Sequence, residues 1–274
     1  MIRSRPARGR HAYVTLVTGD GYAIGAEALV RSLAMSGTEA DIAVLHTAGV
    51  SGEWLERLAR LGARLCEVDL LETSDAFNRA HARDALHAAA PFTKGTKPPL
   101  HTPLDNFAKL RLWQLDYEAV VFIDADALVL RNCDRLFAYP EFCAAPNVYE
   151  SVADFHRLNS GVFTARPSEA TFEVMMARLD VPGVFWRRTD QTFLQEFFPG
   201  WHGLPVIYNV LQYVWFNMPA LWNWETIRIL HYQYEKPWQA DHPRAAELAP
   251  LIALWRGVAE GRPLPDLGAL PGPA

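Results

Sequence analysis

Two aspartates stand directly after the most apolar run of the chain. Asp124 and Asp126 follow AVVFI at residues 119–123, a run typical of a central strand that is buried on both faces. Ligands of open α/β sheets bind beyond the carboxyl ends of the strands. Because residues i and i+2 of an extended chain point to the same side, the two carboxylates can converge, and they would then repel each other. A hard divalent cation that also binds substrate phosphates would relieve this repulsion, whereas the plain alternative is a turn with two solvated aspartates.

A histidine and a lysine farther along the chain offer a third metal ligand and a phosphate contact. His231 is the last residue but one of the strand-like run TIRILHY. The plain alternative for a single histidine at the end of a strand is a structural hydrogen-bonding role. Lys236 follows five residues later, and the Pro-Trp pair after it would stiffen the loop that carries it. An imidazole beside two carboxylates favours Mn²⁺ over Mg²⁺. If His231 joins Asp124 and Asp126, these three residues would form a site for Mn²⁺, with Mg²⁺ as the alternative.

The first half of the chain alternates strand and helix patterns, which predicts a parallel sheet with helices on both faces. The predicted strands are 12–18, 41–47, 63–70 and 119–123. The predicted helices are 22–35, 51–61 and one that runs to about Leu115, with Thr102 as its N-cap and Pro103 as its first residue. The carboxylate pair would then lie at the carboxyl edge of this sheet.

The second half of the chain is less regular. Its predicted strands are 161–166, 205–209 and 226–232, and its predicted helices are 168–180, 189–198 and 243–260. Because no linker composition separates the halves, we expect one α/β domain over residues 12–260. A basic flexible tail would precede it at 1–11, and a Pro/Gly-rich tail at 261–274 would fray. Trp222 and Trp224 are the aromatic pair that we expect to be exposed.

The composition excludes several classes of protein. With 274 residues, 50% of them hydrophobic, the chain can bury a sizeable core and is not disordered. A net charge of −5 disfavours a dedicated nucleic-acid binder. No apolar run approaches the roughly 18–20 residues of a membrane span. Three cysteines without a C-x-x-C motif indicate reduced thiols and a cytoplasmic protein.

Seven sequence blocks, taken in order, carry a resemblance to a known family. They are VTLVTGDGYAIGAEALVRSL, FAKLRLWQL, VVFIDADALVL, LNSGVF, DQTFL, LPVIYN and HYQYEKPW. Together they resemble the retaining glycosyltransferases of family 8, the glycogenin-like and galactinol-synthase-like enzymes, over residues 12–240. The resemblance implies a single GT-A domain, with a mainly parallel Rossmann-like sheet in the first half and an irregular acceptor side in the second. It also implies Mn²⁺ and a UDP-sugar donor, usually UDP-glucose or UDP-galactose.

The resemblance assigns roles residue by residue. The residues that would bind the donor are Leu16, Thr18, Gly19, Tyr22, Lys109, Asp124, Ala125, Asp126, Asn159, Ser160 and Lys236. Within this set Tyr22 would stack on the base, and Lys236 would bind the diphosphate. Asp190 and Gln191 match the pair nearest the reacting carbon, and His231 matches the third metal ligand. From the residues alone, Asp190 could equally be a helix N-cap.

Some positions depart from the family pattern. Arg187 stands where glycogenin has an acidic residue, which leaves the identity of the sugar open. Lys97 could replace a donor-binding arginine that has no clear equivalent. Phe216 stands roughly where glycogenin keeps its self-glucosylated tyrosine, so we expect no self-glucosylation by that route.

The function expected from the sequence is therefore hexosyl transfer from a nucleotide sugar to a glycan, polyol or protein acceptor. One alternative is a catalytically degenerate protein that only binds sugar nucleotides or carbohydrates. Another is a phosphatase of the haloacid dehalogenase type, whose signature also places Asp-x-Asp after an apolar strand. That signature usually has Thr or Val at the position of Leu128.

Overall fold

The computed structural model describes residues 2–4, 9–85, 104–182 and 189–273. The strands are β1 (Arg3–Ser4), β2 (His11–Val17), β3 (Asp41–His46), β4 (Arg64–Glu67), β5 (Ala119–Ile123), β6 (Ala127–Val129), β7 (Cys143–Pro146), β8 (Leu158–Ala165), β9 (His202–Gly203), β10 (Val210–Leu211) and β11 (Ile229–His231). The α-helices are α1 (Asp20–Met35), α2 (Gly52–Arg60), α3 (Asp75–His81), α4 (Glu169–Leu179), α5 (Asp190–Phe197), α6 (Val214–Asn217) and α7 (Ala249–Ala259). Short 3₁₀ helices lie at Asp105–Gln114, Asp134–Ala138, Val152–His156, Val206–Tyr208, Pro219–Leu221 and Leu267–Ala269.

The main sheet has the strand order β1-β4-β3-β2-β5-β8-β7-β9. Strands β4, β3, β2 and β5 run parallel, which confirms the parallel sheet predicted for the first half. The second half adds β8 antiparallel to β5, and β7 antiparallel to β8. A small second sheet, ordered β10-β11-β6, covers the carboxyl end of β5. The fold is therefore α/β with a mainly parallel first half, as the sequence predicts.

Helices cover both faces of the main sheet, because alternate strand residues face opposite sides. On one face Val14 and Phe122 pack with the 3₁₀ helix Asp105–Gln114 and with α4 and α5. On the other face Tyr13 and Val121 pack with α1. A further core joins α7 to the small sheet through residues such as Leu230 and Trp255.

The helix predicted to run to Leu115 is a 3₁₀ helix over Asp105–Gln114. Its predicted cap, Thr102, and Pro103 lie outside the described residues. The three large side chains Phe107, Leu110 and Trp113 are spaced by three and all enter the same core. A 3₁₀ helix has three residues per turn, so this spacing places them on one side. The observed 3₁₀ helix therefore differs from the α-helix that the capping pattern favours, and its core residues suit the tighter turn.

Three other element predictions of the second half need correction. The segment predicted as a strand at 205–209 forms the 3₁₀ turn Val206–Tyr208, followed by the short strand β10. The strand predicted at 226–232 is reduced to β11, and the helix predicted from 243 begins at Ala249. These segments lie around the small sheet, where pairing of two or three residues replaces longer regular elements.

The predicted exposure of Trp222 and Trp224 is wrong, since their side chains are only 8% and 6% exposed. They pack edge-on against each other at 5.0 Å between ring centroids, within the core around α7. The chain after α7 covers this core, with Leu267 buried and Pro271 accepting a hydrogen bond from Trp224 Nε1. Leu267 and Pro271 belong to the segment that we expected to fray, and they pack against the core instead.

Arg3 and Ser4 lie in the segment predicted to be a flexible tail, but they pair with β4. The three cysteines are buried free thiols. Within the described ranges, no helix is long and apolar enough to cross a membrane.

Candidate active site

The Asp-Ala-Asp turn lies where the two sheets meet. The backbone N–H of Asp124 donates to Gly161 O at 2.8 Å, which joins the end of β5 to β8. Beyond the turn, β6 pairs with β11 in a register that sets Ala127 opposite His231. The backbone N–H of Tyr232 donates to Asp126 O at 2.8 Å. Sheet register therefore brings His231 beside two aspartates that precede it by more than one hundred residues.

Asp124, Asp126 and His231 form a candidate metal centre. One possible ligand atom from each residue lies within 4.8 Å of the others. His231 Nε2 is 3.2 Å from Asp126 Oδ1. Two carboxylate oxygens and an imidazole nitrogen form a donor set that suits Mn²⁺ better than Mg²⁺. The residues present therefore fit the predicted cation.

Lys236 closes one side of this centre. Its buried Nζ contacts Asp126 Oδ2 and donates to Tyr232 O at 2.8 Å. Burial alone would lower the pKa of Lys236, but the charge and hydrogen bond of Asp126, with smaller contributions from Tyr22 and Asp124, together raise the pKa above its ordinary value. Burial conversely would raise the pKa of Asp126, yet the opposing charge of Lys236 comes first among the causes that hold this pKa well below its usual range. Both groups are therefore charged at neutral pH.

Lys109 links the metal centre to the residues predicted to lie nearest the reacting carbon. Its Nζ is 3.2 Å from Asp124 Oδ1 and 2.7 Å from Asp190 Oδ2. Its side chain is only 3% exposed. Burial would lower the pKa of Lys109, but the two carboxylates raise it above its ordinary value. Burial raises the pKa of Asp124, and the charge of Lys109 opposes this shift.

Asp190 and Gln191 begin α5 and face β8. Thr189 occupies the N-cap position, so the carboxylate of Asp190 is not the helix cap. Ser160 Oγ donates to Asp190 Oδ2 at 2.8 Å, and the N–H of Ser160 donates to Gln191 Oε1 at 3.2 Å. Three predicted site residues are thus joined by direct hydrogen bonds.

Asn159 lies next to Ser160 on β8 but points toward His231. Its Oδ1 accepts from the N–H of Gly161 at 2.9 Å and from Asn209 Nδ2 at 2.8 Å. Asn209 Oδ1 in turn contacts His231 Nδ1 at 2.9 Å. Sequence analysis assigned no role to Gly161 or Asn209, although both lie inside quoted blocks, LNSGVF and LPVIYN. Their positions in these blocks were the features of the sequence that could have indicated a role at the site.

The predicted uridine contacts lie at the carboxyl end of β2, which neighbours β5 in the sheet. Leu16 packs against the core, and Thr18 O accepts a hydrogen bond from Thr47 Oγ1 at 2.8 Å. Gly19 is the N-cap residue of α1. Tyr22, one turn into α1, has its ring 5.7 Å from Lys236 Nζ, so it borders the ionic cluster.

Ala125 is buried against α1. Its side chain is 6% exposed and packs with Val17, Ala23 and Ala26. Its backbone carbonyl lies so close to Gly25 that a Cβ there would be 2.7 Å away. Arg187 and Lys97, which the sequence analysis considered for donor contacts, lie outside the described residues.

Comparison with known proteins identifies the family. The family model described as Glycosyl transferase family 8 matches residues 13–242. UDP-glucuronate:xylan alpha-glucuronosyltransferase 2 from Arabidopsis thaliana is 32% identical over 245 residues, which cover 84% of this chain and 36% of that protein. Glycogenin-1 from Oryctolagus cuniculus is 33% identical over 237 residues, which cover 83% of this chain and 65% of that protein. The chain thus spans about a third of the plant relative's length.

Solved structures agree on the fold. The galactosyltransferase LgtC in complex with donor and acceptor sugar analogues superposes with a TM-score of 0.60 at 15% identity. The match covers 93% of this chain and 98% of that chain. At this identity the likeness concerns the GT-A fold alone. The resemblance predicted from the seven blocks is confirmed, and this chain belongs to glycosyltransferase family 8.

Proposed function

We propose that this chain is a retaining hexosyltransferase that moves a sugar from a UDP-sugar to an acceptor, assisted by a divalent metal ion. One observation carries the proposal: Asp124, Asp126 and His231 converge with ligand atoms within 4.8 Å, in a member of family 8. Mn²⁺ is the proposed ion and Mg²⁺ the alternative.

Charge complementarity supports this proposal. When the bond between the sugar and the phosphate breaks, its electron pair leaves with the nucleoside diphosphate. A metal ion bound at the three ligands would stabilise this negative charge as a Lewis acid. Lys236, buried with its Nζ beside Asp126, adds a fixed positive charge on the same side. With the metal ion bound, the negative net charge of the chain would be locally reversed where an anionic donor would bind.

Asp190 and Gln191 would act on the sugar side. The ion pair with Lys109, 2.7 Å long, holds the carboxylate of Asp190 in place. A carboxylate there would stabilise the positive charge that develops at the anomeric carbon. Retention is compatible with an ion pair attacked on the same face and with a covalent glycosyl intermediate. The proposed donor contacts are Leu16, Thr18, Gly19 and Tyr22 for the uridine, Ala125 for the ribose, and Asn159 and Ser160 for the sugar.

The donor is proposed to be UDP-glucose or UDP-galactose. UDP-glucuronate joins them as a candidate because the printed names of the plant relatives include it. The acceptor is proposed to be a glycan, a polyol or a protein. Three free cysteine thiols support a cytoplasmic location.

Release of UDP tests the proposal. The purified chain should release UDP from one of the three donors only when Mn²⁺ or Mg²⁺ is present. Asp124→Asn removes one charged ligand and should lower this release at least about 100-fold, because a catalytic metal contributes several kcal/mol. The matched control is Asp69→Asn, since the side chain of Asp69 is 65% exposed and should be dispensable.

Two results would contradict the proposal. Release of UDP by Asp124→Asn at the unmodified rate would remove the metal assignment. Binding of the donors without any release of UDP, even with an acceptor array present, would favour the sugar-nucleotide-binding alternative.

A further inference from the structure

A chain of side-chain amides leads from β7 to the imidazole of His231. Asn159 Nδ2 donates to Asn147 Oδ1 at 2.9 Å, and Asn209 Nδ2 donates to Asn159 Oδ1 at 2.8 Å. Asn209 Oδ1 is 2.9 Å from His231 Nδ1. Asn209 is fully buried and His231 is 5% exposed, so water does not compete for these contacts.

The direction of every hydrogen bond in this chain follows from one backbone group. The N–H of Gly161 can only donate, so the Asn159 atom that it meets at 2.9 Å must be the carbonyl oxygen. That oxygen can only accept, so Asn209 presents its NH₂ to Asn159 and its own carbonyl oxygen to His231. A carbonyl oxygen cannot donate, and therefore Nδ1 of His231 carries the hydrogen. In the neutral ring Nε2 is then a bare nitrogen.

The bare nitrogen faces the carboxylate pair. His231 Nε2 is 3.2 Å from Asp126 Oδ1, so two acceptor atoms meet with no hydrogen between them in the neutral ring. Lys236 offsets the charge of Asp126 from its other oxygen, and a cation bound between Nε2 and Oδ1 would relieve the remaining repulsion. The tautomer that Asn209 selects is thus the one that suits a metal ligand.

The absence of a side chain at Gly161 lets the same imidazole ring approach the backbone of β8. A Cβ at Gly161 would lie 2.4 Å from His231 Cε1 and 2.6 Å from Nδ1. The imidazole therefore packs directly against the backbone of β8, which leaves it little room to rotate away from Asn209.

We propose that Asn209 is a positioning residue of the metal centre: it holds His231 in the tautomer with hydrogen on Nδ1 and aims Nε2 at the cation bound with Asp124 and Asp126. This inference rests on the metal-assisted function proposed above. Outer contacts of this kind fix both the tautomer and the orientation of histidine ligands.

Binding of Mn²⁺ to the full chain without any sugar nucleotide tests the inference. Electron paramagnetic resonance of free Mn²⁺ gives the dissociation constant. Asn209→Leu keeps a similar side-chain size but removes the acceptor, and it should weaken Mn²⁺ binding about 10–100-fold. The matched control is Asn217→Leu, which removes a 2.8 Å hydrogen bond to Tyr149 O rather than one to His231 and should leave Mn²⁺ affinity unchanged.

A conservative variant and a spectrum separate positioning from general stability. Asn209→Asp keeps an oxygen acceptor for His231 Nδ1 and should bind Mn²⁺ at least ten times more tightly than Asn209→Leu. In the metal-free wild-type protein, ¹H–¹⁵N correlations of the neutral ring, assigned with a His231→Gln variant, should show the hydrogen on Nδ1. This measurement needs no Asn209 variant and holds even if Asn209→Leu does not fold.

The possible failures are distinct. If the wild-type protein binds Mn²⁺ and Asn209→Leu binds it equally well, the positioning role is wrong while the metal centre stands. A hydrogen found on Nε2 of His231 would overturn the tautomer assignment directly. If the wild-type protein binds no Mn²⁺, the proposed metal-assisted function and this inference fail together.

Discussion

Two lysines partly balance the three carboxylates of the site. Asp126 pairs with Lys236 and His231, while Lys109 pairs with both Asp124 and Asp190. Buried ions lose hydration, and only close partners offset that cost. Removing one partner therefore leaves an uncompensated charge in the interior. The candidate site is thus also a place where substitution lowers the stability of the fold.

Replacing Lys109 with methionine tests this balance. Lys109→Met leaves two carboxylates without their common cation, and the free energy of unfolding should fall by about 3–5 kcal/mol. Denaturation by urea, followed by circular dichroism, measures the change. Arg10→Met is the control, because Arg10 and Glu118 form an exposed pair and its loss should not alter the unfolding midpoint. Equal stability of Lys109→Met and the wild type would show that the cluster is not balanced by this lysine.

At the scale of elements, α1 packs against the Asp-Ala-Asp turn. Gly25 lets α1 approach the Asp-Ala-Asp turn so closely that a Cβ there would be 2.7 Å from Ala125 O and 2.8 Å from Trp238 Cη2. Trp238 follows Lys236 by two residues, so a single glycine contact joins α1, the turn after β5 and the lysine loop. The spacing between these elements determines where the two carboxylates and Lys236 lie.

A methyl group at position 25 should separate these elements. Gly25→Ala should destabilise the fold by about 1–3 kcal/mol through overpacking and should weaken Mn²⁺ binding. Gly257→Ala, in the last turn of α7, is the matched helix control, since its Cβ would meet atoms only at 3.5 Å and beyond. That change should instead stabilise the protein by about 0.5–1 kcal/mol. Thermal unfolding and Mn²⁺ titration measure both effects, and stabilisation by Gly25→Ala would contradict the close approach.

At the scale of the whole molecule, two cores meet at the site. The core of the main sheet includes Phe107 and Trp113, whereas the second core gathers α7, the small sheet and Trp224. The site residues come from both: β5, β8 and α5 belong to the main sheet and its covering helices, and His231 belongs to the small sheet. Formation of the metal centre therefore requires that both cores be folded.

Three buried histidines should make global stability fall in mild acid. Burial lowers the pKa of His46, His81 and His242 below the ordinary value of 6.5. Below pH 6.5 the unfolded chain takes up protons that the folded protein resists, so the free energy of unfolding falls as the pH decreases from about 7 to 5. Urea midpoints measured across this range should decrease steadily.

One histidine variant checks the origin of this pH dependence. His81→Gln removes a titrating ring whose Nδ1 is 2.9 Å from Phe77 O and should flatten the decline between pH 7 and 5. The same replacement at His202, which is exposed, should leave the slope unchanged. An unaltered slope in His81→Gln would assign the decline to other groups.

The sequence by itself determined the family, the parallel first half of the sheet and the position of the carboxylate pair. These features depend on local signals, namely apolar runs of strand length, the turn residues that end them and seven blocks in a fixed order. Asp124 and Asp126 could be located because they directly follow β5 in the chain.

The tertiary structure alone decided which distant side chains meet. The segment predicted as an α-helix is a 3₁₀ helix whose Phe107, Leu110 and Trp113 enter one core. Strand register brought Asn209 to His231, which is twenty-two residues later in the chain and lies on a neighbouring strand. Hydrophobic patterns predict that a residue is buried but not which neighbour it meets, because register and packing depend on all elements at once.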